Sequence, residues 1–439
     1  MSKLEERTDC VCPFCGSLCD DIIVKVNKDN EIVEVQNACT IGTRKFFSAN
    51  HEEERIMSPM VRKDGKLVEV SYEEAIDEAA KILVNSDYPL MYGFSSTEAG
   101  AQSVGVELAE EVGSNLDNTA SVCHGPTILA EQDVGVSGAT LGEIKARADV
   151  IVYIGCNPTH AHPRHLSRYS TFIRGYFREK GAMERKLIVI DPRNTDTAKI
   201  ASEYIQIEQG KDYELICAMR ALLKGSDIPN EVAGIKKEKI AELVETLKNA
   251  QFGAIFFGMG LTQSVGKHRN IDIAINLTKD LNRFTKFIIM PMRGHWNVSG
   301  ANVVFTWTTG YPYSLNFSLG YPRYSPGEFS ANDVLNREEN DASLIISSDP
   351  ISNFPKKGNE WLVKNPLIVI DPHKTPTTEV ADVVIPASIV GIETRGTGYR
   401  MDCVPIRMRK VREAPNESIK PDKVILQDIL AKVQELKNT

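Results

Sequence analysis

The sequence predicts an α/β protein: a small N-terminal metal-binding module with an antiparallel β-hairpin, followed by two related α/β domains built on parallel sheets. Three observations predict it. Five of the nine cysteines lie within the first 39 residues. From about residue 60 onward short apolar strands alternate with helical patterns, as parallel sheets covered by helices require. The stretch Val189-Ile190-Asp191-Pro192-Arg193-Asn194-Thr195-Asp196-Thr197-Ala198 returns as Val369-Ile370-Asp371-Pro372-His373-Lys374-Thr375-Pro376-Thr377-Thr378. A chain of 439 residues exceeds what one hydrophobic core serves. The expected divisions are 1–55 for the module, 56–295 for the first α/β domain and 296–439 for the second with a C-terminal helix.

Taken in order, Asp21–Val26 and Glu31–Val35 alternate apolar with polar residues around Asn27-Lys28-Asp29-Asn30, which reads as a hairpin. Helices are expected at Glu73–Leu83, Glu214–Leu223 and Val424–Leu436. Strands are expected at Asp149–Ile154, Leu187–Ile190, Phe287–Met290 and Leu344–Ile346. Each copy of the repeat follows a further strand that ends in a proline turn, at Asn157-Pro158 and at Asp349-Pro350. Two copies of one strand-turn-strand-turn plan imply two similar domains, whose ligands sit beyond the carboxyl ends of the strands. The aromatic, proline-rich stretch from Gly310 to Gly327 is too long for a casual loop and is expected to line a site or a partner surface.

Composition narrows the function. Hydrophobic residues make up 42% and charged residues 25%, ordinary soluble globular values that exclude a disordered, collagenous or disulfide-packed chain. A net charge of −8 argues against a general nucleic-acid binder, while leaving room for local phosphate pockets. No apolar run approaches the roughly 20 residues that span a bilayer, and Gly258 and Gly260 interrupt the longest, Phe252–Leu261. The charged N-terminus has no apolar export signal, so a cytoplasmic location is expected. In that reducing compartment clustered cysteines are metal ligands rather than disulfides.

Cys12, Cys15, Cys19 and Cys39 place three thiols within eight residues and a fourth after the hairpin. Four thiolates suit a [4Fe–4S] cluster, one per iron. Structural zinc takes the same ligand type but more often uses two separated Cys-x2-Cys knuckles. Cys10 is a surplus thiol, and Arg44 and Lys45 are either surface charges or a bridge from the cluster to a further cofactor. Cys123-His124-Gly125-Pro126 joins a thiol to an imidazole, suited to a nucleophile or to a soft ligand with a proton carrier beside it. His160, His162 and His165 resemble a metal triad, but Arg164 and Arg168 within a turn after a strand favour an anion. Met292-Arg293-Gly294-His295-Trp296-Asn297 follows another strand and spends a tryptophan on its turn. The Gly258-Met259-Gly260 turn is a weak nucleotide signal.

Together with Ala381-Asp382-Val383-Val384-Ile385-Pro386-Ala387, these motifs resemble molybdopterin oxidoreductases of the formate dehydrogenase type. Cys123–Pro126, Asn157–His165 and Thr306–Pro312 through Pro326-Gly327-Glu328 are similar to the molybdenum- or tungsten-carrying subunits of formylmethanofuran dehydrogenases. The resemblance covers nearly the whole chain. It implies Rossmann-like domains that bind two molybdopterin (pyranopterin) guanine dinucleotides. These would hold one molybdenum or tungsten ion, with Cys123 as its protein ligand and an inorganic sulfido group, beside the [4Fe–4S] cluster. Cys123, His124 and Arg293 would be catalytic. Cofactor contacts would come from Lys45, Asn157, Pro158, His160, His162, Arg164, His165, Asp191, Arg193, Gly258, Gly260, Asp349 and Asp371.

The reaction so implied is reversible reduction of carbon dioxide to formate, which an amidohydrolase-like partner condenses with methanofuran. Ferredoxin-like subunits would exchange the electrons. Larger relatives continue into a C-terminal β-barrel-like cap, and the chain stops about 30 residues after Arg407-Met408-Arg409. A separate subunit is therefore expected to cap the dinucleotides. Two other readings stand beside this one: an ordinary formate dehydrogenase subunit, and a non-redox structural subunit of a formyltransferase/hydrolase complex. The second should have lost the thiols that are all present here.

Overall fold

A computed structural model describes residues 4–438. The chain forms two compact units: the part through Val122 together with everything from His295 onward, and the inserted segment Cys123–Gly294. This differs from the contiguous division at 55 and 295. Strands from both ends of the chain share one sheet, because parallel neighbours need not be neighbours in sequence. Gly93 pairs with Ile346, and Val61 with Val383.

The first unit opens with the expected hairpin, Ile22–Val26 against Ile32–Gln36, joined by Glu5–Cys10 in a three-stranded antiparallel sheet. Asn27 Oδ1 accepts the amides of Asp29 and Glu31 and so closes the turn, while Asn30 takes the left-handed conformation. Ile22, Val24 and Val26 face a core shared with Phe46, Ile389, Ile392 and Val411, so residues 1–55 do not pack as a separate module. A buried ion pair fastens the same join. Arg55 Nη1 and Nη2 lie 2.7 and 2.8 Å from the two Glu393 carboxylate oxygens, and Nε donates to the Pro372 carbonyl. Both side chains are fully buried, and removing one partner of such a pair costs about 3–5 kcal/mol.

The large sheet of this unit runs Arg323–Tyr324, Leu315–Asn316, Asn115–Asn118, Leu90–Gly93, Ser343–Ile346, Leu367–Asp371, Val383–Pro386, Met60–Lys63, Lys66–Glu69. Its five central strands are parallel and almost wholly buried. Helices Tyr72–Val84, Ala99–Val112 and Asp422–Lys437 cover one face, the first turning Ala75, Ile76, Ala79, Ala80 and Leu83 inward at helical spacing.

In the Gly310–Gly327 stretch, for which the sequence predicts a site lining or a partner surface, Leu315–Asn316 extends the edge of this sheet, and Tyr313, Leu315 and Phe317 are buried. Asp117 pins it: the carboxylate accepts the amides of Asn118, Ser314 and Ala331. Burial nevertheless pushes the Asp117 carboxyl up to about 6. The folded chain therefore holds this proton more tightly than the unfolded one, and stability falls as pH rises from about 4 to 6. We expect the unfolding free energy of wild type relative to Asp117→Asn to drop by about 2–3 kcal/mol across that window, read by denaturant titration. An unchanged difference would place the proton elsewhere.

The second unit is a parallel sheet in the order Glu203–Ile205, Lys186–Ile190, Val150–Ile154, Phe252–Phe257, Lys286–Pro291. Val150–Ile154 and Phe252–Phe257 are buried throughout, which explains their unbroken apolar composition. Asp212–Leu223 and His268–Leu281 pack on the sheet. Among the described residues no helix is long and apolar enough to cross a membrane.

Candidate functional sites

The repeat is structural in detail. In the second unit Asn157 Oδ1 accepts the Thr197 hydroxyl (2.6 Å), Thr197 Oγ1 accepts the Thr159 amide, and Asp191 Oδ1 accepts the Arg193 amide. In the first unit Asp349 Oδ1 accepts the Thr377 hydroxyl (2.5 Å), Thr377 Oγ1 accepts the Ile351 amide, and Asp371 Oδ1 accepts the His373 amide. Thr195 and Thr375 each cap the helix that follows. The two sheets also share a spatial order. Leu90–Gly93 stands beside Ser343–Ile346 as Phe252–Phe257 stands beside Val150–Ile154, although the chain reaches the strands in a different sequence. Each parallel sheet thus reverses its strand order once, and ligands of open α/β sheets bind outside the carboxyl ends of the strands at such a reversal.

In the second unit the glycines of the Gly258-Met259-Gly260 turn exist for close approach. The Gly260 amide donates to the Gly155 carbonyl (2.9 Å), and a Cβ on Gly258 would stand 2.5 Å from that of Cys156. The three histidines do not converge. His160 is exposed and pairs with Asp196 (2.6 Å), whereas His162 Nε2 donates to the Arg293 carbonyl (2.7 Å). His165 is a core histidine, bonded to the Tyr153 hydroxyl (2.8 Å) and packed edge-on to Phe256. Arg193 projects into solvent; Arg164 is half-buried at the start of a short helix. Pro158 opens the short helix after Asn157.

Cys123 and His124 join two short helices, Ala120–Cys123 and Gly125–Val134. The partly exposed Cys123 has its carbonyl held by the Thr262 hydroxyl (2.8 Å) and the Gln263 amide (3.1 Å). His124 is buried, with Nε2 3.3 Å from the Met292 carbonyl and Nδ1 3.1 Å from the Thr127 hydroxyl. A carbonyl only accepts, so Nε2 carries the proton and Nδ1 accepts from Thr127. Burial, reinforced by the Arg293 charge, lowers this imidazole to about 3 and keeps it neutral. The buried Arg293 follows Met292, so the thiol-bearing turn is stitched to the segment that carries the guanidinium.

In the first unit burial pushes the Cys12 thiol well up, and the neighbouring thiols of Cys19, Cys15 and Cys39 push it further, which makes it harder to ionise. A Cβ on Gly42 would lie 3.0 Å from Cys12 Sγ and 3.6 Å from Cys39 Sγ, so this glycine leaves room between two thiols. Cys10 stands apart. Its thiol donates to the carbonyls of Arg7 and Thr8, and burial pushes it up to about 11. Among the described residues no three His, Cys, Asp or Glu side chains are drawn together as a single ion needs.

Lys45 lies on the helix Thr40–Ser48 that Cys39 caps. Burial lowers its ammonium pKa, opposed first by the nearby Asp371 and less by Cys12, so Lys45 and Asp371 are electrostatic neighbours. Both line a cavity of about 300 Å³ with Trp296, His373, Ser388 and Asp422. Sequence reasoning missed the last three, and only His373 had a signal, as the counterpart of Arg193 in the repeat. His295, singled out in the sequence only as a member of the Met292–Asn297 loop, bridges to Cys15 and lies 3.4 Å from the Thr119 hydroxyl.

Paired strand-order reversals and a cysteine module define a class, and the molybdopterin oxidoreductase family model matches residues 55–432. The chain belongs to that family. The B subunit of tungsten-containing formylmethanofuran dehydrogenase 2 from Methanocaldococcus jannaschii is 55% identical over 97% of this chain and 98% of its own. Its namesake in Methanococcus maripaludis is 52% identical over 99% and 100%. Within the family the chain therefore belongs with the B subunits of formylmethanofuran dehydrogenase, as the sequence motifs implied, and it is an oxidoreductase subunit. A solved chain of the formyltransferase/hydrolase complex from Methylorubrum extorquens, in complex with methylofuran, matches with a TM-score of 0.71 at 23% identity. That match covers 87% of this chain and 100% of the other, and it shows the shared fold.

Proposed function

We propose that this chain performs the redox half of formylmethanofuran synthesis, the reversible reduction of carbon dioxide to formate. The observation that carries this reading is the stitch from His124 Nε2 to the Met292 carbonyl, which sets a thiol and a guanidinium on adjoining turns. The two strand-order reversals suit two pyranopterin guanine dinucleotides, and the partly exposed Cys123 suits a soft molybdenum or tungsten ion, with an inorganic sulfido group beside it. When bound, that centre supplies the two electrons that convert carbon dioxide and one proton into formate.

The residues of the chain do the rest. Arg293, buried and always charged, orients the carboxylate and favours its developing negative charge. His124 holds its turn in the resting state, and it carries a proton only by giving up the Met292 carbonyl. Cys12, Cys15, Cys19 and Cys39 suit a [4Fe–4S] cluster. They influence one another yet are not gathered as tightly as around one zinc, where Zn–S bonds near 2.3 Å would set the sulfurs about 4 Å apart. Lys45 bridges cluster and cofactor.

Formate would pass to an amidohydrolase-like partner that carries methanofuran, and electrons would arrive from ferredoxin-like subunits in the cytoplasm. Metal analysis of the anaerobically purified complex tests the reading. We expect one molybdenum or tungsten and about four irons attributable to this chain. Zinc alone would defeat it.

A further inference from the structure

Cys39 caps the helix Thr40–Ser48 through sulfur rather than oxygen: its Sγ accepts the amide of Gly42 at 3.3 Å. The Thr43 amide donates to the Cys39 carbonyl (2.8 Å) and closes the same turn. Gly42 is buried, and a Cβ there would stand 3.0 Å from Cys12 Sγ and 3.6 Å from Cys39 Sγ. Two thiols from different segments therefore close on one backbone position. Glycine weakens a helix relative to alanine, so helix stability does not account for this residue; the approach of the sulfurs does. The amides of Phe14 and Ser17 bear in the same way on Cys12 and Cys15.

The electrostatics of the turn are one-sided. The free amides of a helix N-terminus carry a partial positive charge, which acidic residues in the first turn commonly offset. The first turn here holds none, so the field of the helix end is left to act on the sulfurs. A cluster on four thiolates becomes more negative when it accepts an electron. Hydrogen bonds and positive field at its sulfurs favour that reduced form.

We propose that Gly42 is a positioning residue that raises the reduction potential of a cluster on Cys12, Cys15, Cys19 and Cys39. Its amide fixes Cys39 Sγ, and its missing side chain lets Cys12 Sγ close on the helix end. The inference rests on the redox reading above and adds a residue that neither the cysteine spacing nor the repeat pointed to. The step is a one-electron reduction. The electron comes from a ferredoxin-like donor, and no bond forms or breaks.

The test compares anaerobically purified complexes carrying wild type, Gly42→Ala or Thr40→Glu. Iron per chain is measured, and the cluster midpoint is read by redox titration of its low-temperature magnetic resonance signal, identified as the one that Cys15→Ala removes. Alanine keeps the Gly42 amide but pushes Cys12 Sγ off the helix end. Thr40 is exposed, and glutamate there stabilises the helix while offsetting its positive end. We expect each variant to keep its irons and to shift the equilibrium about threefold toward the oxidised cluster. At 59 mV per tenfold for one electron, that is a midpoint lower by about 28 mV. An unchanged or higher midpoint in Thr40→Glu would overturn the proposal. So would Gly42→Ala with wild-type iron and a wild-type midpoint. If Gly42→Ala loses its irons, the sign of the Thr40→Glu shift decides alone. Wild type without iron in this chain would instead overturn the redox reading itself.

Discussion

Cys123→Ala is expected to abolish carbon dioxide reduction and to strip molybdenum or tungsten from the complex while leaving its irons in place. If Cys123 is the ligand proposed above, the loss should exceed the roughly 10–100-fold in metal affinity that follows removal of a mere supporting residue. Little else should change. The side chain is partly exposed, and what holds the turn is the Cys123 carbonyl, bonded to Thr262 and Gln263, which alanine retains. The measurement is metal content by mass spectrometry together with formate-dependent dye reduction. Full metal occupancy and activity in the variant would defeat the ligand assignment and leave Cys123 an ordinary turn residue.

Cys15→Ala should have the complementary effect: about four irons lost and electron transfer abolished, with molybdenum or tungsten retained. Cys15 sits where two parts of the first unit meet. Its carbonyl accepts the Leu18 amide, and it bridges to His295 in the backbone. The core that holds the hairpin, with Ile22, Phe46 and Ile389, includes Cys12 and Cys19 but not Cys15, so the hairpin should persist in this variant. Iron analysis and the low-temperature magnetic resonance signal of the reduced complex provide the readout. Cys10→Ala is the control, since that thiol donates to Arg7 and Thr8 and faces away from the others. If Cys10→Ala lost the irons and Cys15→Ala kept them, the ligand set would be wrong.

Local signals in the sequence were dependable where the chemistry is local. The hairpin at 22–36 follows from alternation and an Asn-rich turn, and the structure places it within a residue or two. Val150–Ile154 and Lys186–Ile190 are strands because continuous apolar runs suit a sheet buried on both faces. The thiol spacing singled out Cys12, Cys15, Cys19 and Cys39, and the fold brings the last three near enough to act on the Cys12 thiol. The His-rich turn behaved otherwise. His160, His162 and His165 look alike in sequence, yet one is exposed, one bonds the Arg293 carbonyl and one lies in an aromatic core. Residue type and spacing carry no information about which way each side chain leaves a turn.

By itself, then, the sequence determined the α/β class, the repeat, the thiol quartet and the family. Each is encoded over a short stretch, through periodicity, ligand spacing or turn chemistry. Only the tertiary structure decided that residues 123–294 are inserted into a sheet completed by strands on either side of them. It likewise decided that Arg55 buries its charge against Glu393, and that Ser388 and Asp422 share a cavity with Lys45. These contacts join residues tens to hundreds of positions apart. Their partners are selected by which apolar faces can be buried together and which buried polar groups must then be satisfied, and neither quantity exists until the chain has folded.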